Sequence, residues 1–379
     1  MKIALAALSC DRVTGIGRIV SSLADEYQEA GHSVTVIAQF IEGVPAGVHT
    51  VRRWRPPLSG AAQKIMFAQQ TESIFARSRF DLTHAFGVGR GAQIVSAQSC
   101  HRAGVEAKAL LRRGRITGGG IGLFDAVSLR DERVLMADPR TLGVIAVSQL
   151  VRNELVRFYG ISDERIRVIP NGVARLQEQL PRGRRERLRS DAGAGNHDYL
   201  LLFVGNEFDR KGLQTVIEAI SILADPNVRL LVVGDDDRTP YERFAGRLGV
   251  AGRLHFAGRT GAVEELFGAA DAFVLPTLYE PFGMVIVEAM AAGLPVIASA
   301  RAGAVEGLKH DIHGLYIDDP LSAEELANLV RRLMNDAELH DRLAASGRSA
   351  ATRFLWKSIA EETLSVYAEF AGRTRGHDR

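Results

Sequence analysis

The feature that most limits what this chain can fold into is a rhythm. Short apolar, β-branched runs alternate with amphipathic helical stretches, and the series is written twice. Residues 2–8 read as a strand, followed by a loop holding Gly15 and Gly17 and a helix with Ile19, Val20, Leu23 and Tyr27 on one face, closed by Gly31. Further strands are predicted at 34–40, 81–86, 94–99, 142–148 and 166–169, with helices near 61–77, 125–137 and 149–159. Asn171-Gly172 signals a turn. Between 174 and 197 the composition shifts to Arg, Gly, Glu and Ala, and a second series then starts at Tyr199. Its strands are 200–204, 228–233, 254–257, 272–275 and 296–298, and helices at 323–334 and 337–353 follow. Strands separated by helices predict a mostly parallel sheet covered on both faces. The expected fold class is therefore α/β, two tandem doubly wound domains, with boundaries at 1–173 and 174–355. An amphipathic stretch at 356–371 carries Ile359, Leu364, Tyr367 and Phe370, and the tail after Gly372 is expected to be disordered.

Composition excludes several function classes. A chain of 379 residues with 46% hydrophobic content suits two cores. Its net charge of +2, without interleaved basic and aromatic motifs, gives no sign of nucleic-acid binding. Cys10 and Cys100 form neither a disulfide framework nor metal-ligand spacing, which points to a reducing cytosol. The start MKIALAALSCDR resembles a signal peptide, but its apolar part is short and falls where a first strand belongs. No apolar run approaches the roughly 20 residues that span a bilayer, so membrane contact is expected to be peripheral.

The most chemical stretch is 271–299, DAFVLPTLYEPFGMVIVEAMAAGLPVIAS. It reads as a strand, a loop at 278–281, an apolar helix from Phe282 to near Gly293 and a further strand at 295–300. Glu280 and Glu288 stand eight residues apart around the helix start. Glu288, among Val285, Ile286, Val287 and Met290, is expected to be enclosed and to need a donor such as a ligand hydroxyl. Glu280 taken alone reads as a solvated loop acid. The free N–H groups and dipole of the helix start favour an anion such as phosphate between the two acids.

Other segments carry weaker signals. In VGNEFDRKGL, 204–213, Arg210 and Lys211 fall at a predicted helix start, where adjacent cations oppose the dipole. A diphosphate between them would resolve the conflict, and a salt-bridged surface pair is the other account. Gly15-Ile16-Gly17 is half of a dinucleotide fingerprint, with Val20 in place of the third glycine. Asp235-Asp236-Asp237 invites a metal reading, set aside because the acids follow a strand ending at Gly234. The cluster RGRRERLR, 182–189, reads first as a solvated mixed-charge helix and second as an anion-binding face. Arg52-Arg53-Trp54-Arg55, and Arg112, Arg113 and Arg115 ahead of Gly118-Gly119-Gly120, read as surface loops or as contacts for a phosphorylated or lipid-linked acceptor at an anionic membrane.

EPFGMVIVEAMAAGLPVIAS resembles the Glu-x7-Glu signature of the retaining GT-B glycosyltransferases of family 4, and AVSQ and VIPNGV in the first domain resemble that family too. The Arg-Lys-Gly form is similar to the lipopolysaccharide-core glucosyltransferase branch. The resemblance implies two Rossmann-like domains facing a cleft, with helix 356–371 packing back on the N-terminal domain. It implies a metal-independent hexosyltransferase that uses a nucleotide-diphosphate sugar, UDP-linked, and a glycan, lipid-linked or small-molecule acceptor, as in polysaccharide or lipopolysaccharide synthesis. No cofactor is expected, and the location is cytoplasmic or peripheral on the inner face of the plasma membrane.

By the same resemblance Glu280 would contact the transferred sugar and Glu288 the ribose, with Phe282, Gly283 and Met284 facing sugar and diphosphate. Arg210 and Lys211 would stabilise the departing diphosphate, beside Gly205. Ala302, Gly303 and Glu306 match a small-residue loop bordering the sugar. Gly15 and Gly17 would let backbone approach the diphosphate, or else form a tight strand-to-helix turn. Where relatives place a His or Asp, this chain has Gln98 with His101 three residues on, so either could line the acceptor side. Asn206 likewise replaces the arginine that many relatives carry after the strand glycine. These departures leave open a catalytically silent sugar-nucleotide-binding partner, or a GT-B epimerase.

Overall fold

The computed structural model describes residues 1–55, 60–111 and 122–377. It divides into two compact units, one containing Met1–Glu106, the stretch ending at Ala174 and Phe354 onward, the other containing Arg175–Arg353.

The first unit is built on a seven-stranded parallel sheet: β1 (Lys2–Ala6), β3 (Ser33–Ala38), β5 (His49–Arg52), β6 (Leu82–Phe86), β7 (Ile94–Ala97), β8 (Gly143–Ala146) and β9 (Ile166–Val168). A short parallel pair, β2 (Ser9–Cys10) and β4 (Phe40–Ile41), stands apart. The order β5-β3-β1-β6-β7-β8-β9 reverses direction between β1 and β6. In open α/β sheets, ligands collect in the crevice at such a reversal. Central strands are apolar without alternation, as double coverage demands, and every residue of LTHAF in β6 is buried.

The helix Gly15–Glu29 buries Ile19, Val20, Leu23 and Tyr27. Thr14 caps it by accepting from the Gly17 amide, and Gly31, at φ 81°, turns the chain out. Two of the elements that escaped the sequence reading have a plain cause. Strand β5, HTVR, is an edge strand with no buried residue, so it carries no apolar pattern. The helix His101–Leu111 is started from outside itself: the Glu132 carboxylate, from the helix Leu123–Met136, accepts from the His101 and Arg102 amides.

The C-terminal helix Trp356–His377 completes this unit. Tyr367 donates and accepts in a buried chain with Tyr27 (3.1 Å) and His84 Nδ1 (2.5 Å), while His84 Nε2 meets Ser96 Oγ at 2.8 Å. Gly143 and Gly172 are small because the rings of Phe370 and Trp356 occupy the space of a side chain. The helix runs to His377.

The second unit carries a six-stranded parallel sheet: β10 (Tyr199–Val204), β11 (Val228–Val233), β12 (Leu254–Gly258), β13 (Ala272–Leu275), β14 (Val296–Ser299) and β15 (Leu315–Ile317). Its order, β12-β11-β10-β13-β14-β15, reverses between β10 and β13. The sixth strand is three residues long, too short to register as a pattern.

The basic cluster 182–189 forms the helix Arg182–Asp191, and its account needs correcting. Arg189 is 1% exposed: it pairs with Asp271 at 2.8 Å and donates to the carbonyls of Ala269, Gly195 and Asp198. Arg185 takes the other Asp271 oxygen at 2.7 Å, and Arg184 pairs with Glu265. These arginines bolt a helix to the start of β13.

Candidate active site

In the second unit, the loops leaving β10 and β13 meet at the point where the strand order reverses. Gly205, at φ 148°, follows the last residue of β10. Any side chain there would occupy the space of Lys211 Cδ and Cε, so the bare Cα lets that side chain cross. Gly212, at φ 82°, abuts the Pro276 carbonyl in the same way and joins the loop to the helix Leu213–Leu223. Leu278 N donates to Arg210 O at 2.9 Å, and Thr277 Oγ1 at 3.3 Å, which ties the two loops together.

Charge then concentrates on Glu280. Lys211 Nζ lies 2.8 Å from Glu280 Oε2 and Arg210 Nη1 3.5 Å from the same oxygen. Arg210 also pairs with Glu207 at 3.0 Å and donates to the Tyr279 carbonyl. All three side chains are largely withdrawn from water, at 11% exposure for Lys211, 14% for Arg210 and 11% for Glu280. Burial pushes the Glu280 carboxyl upward, but the charges of Lys211 and Arg210 outweigh it and hold the pKa below the ordinary glutamate range. Burial opposes the Arg210 charge, and Glu280 and Glu207 more than restore it.

The signature helix begins at Met284, two residues later than expected, with Gly283 at φ 97° as its N-cap. Phe282 is buried and accepts from the Ala304 amide at 2.8 Å, while Gly303 N donates to Glu280 O at 3.0 Å. The small-residue loop thereby holds the signature loop from its other side. In the first turn the Ile286 amide donates to Gly283 O at 2.9 Å, and the amides ahead of it form the positive end of the dipole, beside the carboxylate that Lys211 and Arg210 grip.

The two glutamates differ in burial. Glu280, read as the solvated one, is buried; Glu288, read as enclosed, is half-buried. On this helix Ile286, Val287, Ala289 and Met290 are buried, whereas Met284, Val285 and Glu288, spaced three and four residues apart, share a half-exposed face. An apolar composition hid which face was open. In the Asp235–Asp237 run, Asp236 accepts from Phe208 N at 2.8 Å and so ties the loops after β11 and β10, while Asp237 accepts from Thr239 N at 2.9 Å in a local turn. Among the described residues no group of three or more His, Cys, Asp or Glu is placed to hold a metal ion.

In the first unit, the ends of β1, β6 and β7 border a cavity of about 380 Å³. Gln98 and His101 both line it, with Lys64, Phe86, Ser128 and Glu132. Gln98 Oε1 accepts from Asn171 Nδ2 at 2.9 Å, a bond that orients the amide. His101 Nε2 lies 3.2 Å from Asp125, and burial together with the Lys64 charge lowers its pKa. Lys64 donates to Ser128 Oγ at 2.6 Å and lies 4.2 Å over the Phe124 ring. Sequence reading missed Lys64 and Glu132, since a lone lysine and a lone acid on helices carry no local signal.

Gly15 opens its helix with free space around it, while a side chain on Gly17 would run into Asp11 and Thr14. Asp11 is buried and accepts from the amides of Val13 (2.8 Å) and Thr14 (2.5 Å) and from Thr14 Oγ1 (2.7 Å). Burial raises its pKa, and these bonds more than offset it. The tight-turn account of Gly17 thus has a physical cause in Asp11. Cys10 and Cys100 are buried free thiols, both pushed up to about 12 by burial. Arg52 donates to Ile41 O at 2.8 Å, and Trp54 is exposed. Arg112, Arg113, Arg115 and Gly118-Gly119-Gly120 lie outside the described residues. No helix among the described residues is long and apolar enough to cross a membrane.

Two parallel sheets of this topology, with a charged cluster at one reversal and a cavity holding Gln98, His101 and Lys64 at the other, define two Rossmann-like domains. The first matches the family model Glycosyltransferase Family 4 over residues 13–175, and the second matches Glycosyl transferases group 1 over residues 184–350. The chain belongs to the GT-B glycosyltransferases and is akin to the lipopolysaccharide-core glucosyltransferases.

Lipopolysaccharide glucosyltransferase WaaG of Escherichia coli is 34% identical over 216 residues, 55% of this chain and 58% of that protein. The chain thus spans little more than half the length of this curated relative. The crystal structure of WaaG, a glycosyltransferase involved in lipopolysaccharide biosynthesis, shares the fold with a TM-score of 0.81 at 24% identity, covering 96% of this chain and 99% of that one. Anabaena HepE, solved with UDP-glucose, does so with a TM-score of 0.72 at 21% identity, covering 97% and 100%.

Proposed function

We propose that the chain is a retaining hexosyltransferase that takes its sugar from a UDP-linked donor and passes it to a glycan, lipid-linked or small-molecule acceptor in cell-envelope polysaccharide or lipopolysaccharide synthesis. One observation carries this reading: Lys211 and Arg210 converge on buried Glu280 beside the N-terminus of the Met284–Ala291 helix. The arrangement suits a departing diphosphate, whose developing charge meets fixed amides and two cations in a site that needs little rearrangement. Glu280, held ionised, is placed to accept hydrogen bonds from sugar hydroxyls, and Glu288 on the half-exposed helix face from a ribose. Those two cations supply the charge neutralisation that a metal gives other transferases. Lipopolysaccharide enzymes among the relatives, and UDP-glucose in the HepE structure, support the donor class.

The acceptor is assigned to the cavity of the first unit. Gln98 can bind a hydroxyl but cannot take its proton. Transfer with retention therefore proceeds by same-face attack: the acceptor oxygen bonds to the anomeric carbon as the C–O bond to phosphate breaks, and the departing phosphate takes the acceptor proton. We place the protein in the cytoplasm, with peripheral contact to the inner face of the plasma membrane. Purified protein is mixed with a panel of nucleotide sugars, and nucleotide release is followed with and without acceptors. Release from UDP-sugars that is lost in Lys211→Ala and Glu280→Ala supports the reading, and release that survives both substitutions removes it. Gln98 favours one competitor, a sugar-nucleotide binder without turnover, which would bind UDP and release nothing.

A further inference from the structure

A second depression of about 260 Å³ lies in the first unit, with a different set of lining residues from the cavity assigned to the acceptor. Arg102, Arg133 and Arg157 converge on it from three helices, His101–Leu111, Leu123–Met136 and Gln149–Tyr159. Leu129, Phe158 and Tyr159 complete the lining. Two of the arginines have a local reason for their positions, since Arg133 and Arg157 sit in the last turns of their helices, where the dipole is negative. Arg102 has the opposite setting: it is the second residue of its helix, at the positive end.

Neutralisation inside the protein is thin. Glu106 reaches Arg102 at 3.5 Å and Arg157 at 4.0 Å, with all three side chains 44% to 72% exposed. Pairs so exposed contribute little. Glu132 accepts from the His101 and Arg102 amides and the Tyr159 hydroxyl. Among the described residues Arg133 makes no ion pair. Against three guanidiniums stand Glu106, loosely held, and Glu132, whose bonds are to neutral donors, so the balance in this concave site remains positive. Planar guanidinium forks match phosphate oxygens, and a phosphomonoester carries close to two negative charges at neutral pH.

We propose that this depression binds a phosphomonoester, with the phosphate between the three arginines and the attached group against Leu129 and the Phe158 ring. Arg157 already lies over that ring, 4.8 Å from its centre, which holds the guanidinium at the mouth. The volume admits a phosphate on a single small ring, and the assignment is independent of the donor site in the other unit.

The test is calorimetric titration of the full chain with inorganic phosphate at constant ionic strength set by sodium chloride, in the native protein and in the double variant Arg133→Gln/Arg157→Gln. Both side chains are exposed, so the variant should fold, and circular dichroism with tryptophan fluorescence checks that it does. Saturable binding that weakens at least about 10-fold in the variant is expected. Heat no larger than the chloride control, or binding unchanged in the folded variant, overturns the proposal. Displacement by glucose 6-phosphate identifies a soluble ester, and displacement by vesicles of phosphatidic acid in phosphatidylcholine identifies a lipid-borne one. If neither displaces inorganic phosphate, the ester assignment is wrong.

Discussion

Lys211 Nζ stands 2.8 Å from Glu280 Oε2, and the side chain that carries it lies across the bare Cα of Gly205. A buried carboxylate, the cation that holds it ionised and the glycine that admits the cation form one unit drawn from two loops. Removing Lys211 leaves Glu280 with Arg210 at 3.5 Å as its remaining cation. Breaking a buried pair from one side costs about 3–5 kcal/mol. Lys211→Ala should therefore destabilise the second unit by roughly that amount, read by hydrogen exchange of its peptides in urea, and abolish nucleotide release.

The same pair sets an acid limit. The folded pKa of Glu280 lies below its ordinary value of 4.5, so its contribution to stability is complete above that value and is lost as pH falls through the folded pKa. Lys211→Ala removes a lowering cause and should move acid unfolding of the second unit to higher pH. An acid midpoint identical in the two proteins would contradict this.

Gly205→Ala tests the approach of the two loops without touching a charge. The added methyl meets Lys211 Cδ and Cε at a φ of 148°. Displacing a catalytic cation by about 1 Å costs on the order of 100-fold in rate. Nucleotide release should fall by that factor, with a smaller loss of stability than in Lys211→Ala.

His84 is buried, and loss of hydration lowers its pKa to about 3 from the ordinary histidine value of 6.5. The unfolded chain binds the proton first. The stabilisation is thus full above about pH 6.5 and is lost as pH falls toward 3, at about 1.4 kcal/mol per unit of pH. Both tryptophans of the chain, Trp54 and Trp356, lie in the first unit, so their fluorescence in urea isolates it. The midpoint should drop between pH 7 and pH 5, and His84→Gln should flatten that drop.

Arg189→Met probes the cluster that looked like a solvated face. Four bonds from this guanidinium end on Asp271 and three carbonyls, and the side chain is 1% exposed. Loss of about 3–5 kcal/mol from the second unit is expected by denaturant titration. An effect below about 0.5 kcal/mol, the range of a surface change, would refute the buried role.

Much of the architecture was legible because coverage on both faces makes parallel strands continuous apolar runs, and helices between them show their own period. Strand β5 was not, since an edge strand with no buried residue keeps no apolar signature. The helix His101–Leu111 was not, because its start is stabilised by Glu132 from another helix. At the site, the sequence supplied Arg210, Lys211, Glu280 and Glu288 as a set, but Glu280 taken alone carried no sign of its burial, and the partly open face of Glu288 was hidden by its apolar neighbours. Burial of a single residue on a uniformly apolar helix depends on which face the neighbouring elements cover.

By itself the sequence determined the repeat of strand and helix, the break between two such series, and the chemical types gathered in the loops, since all three are local properties of spacing and composition. Only the tertiary structure decided that Glu280 is the carboxylate gripped by Lys211, that Arg189 is buried, and that Lys64 shares a cavity with Gln98 and His101. Those facts depend on which loops the sheet order makes neighbours, and strand order is set by long-range packing that no stretch of chain records.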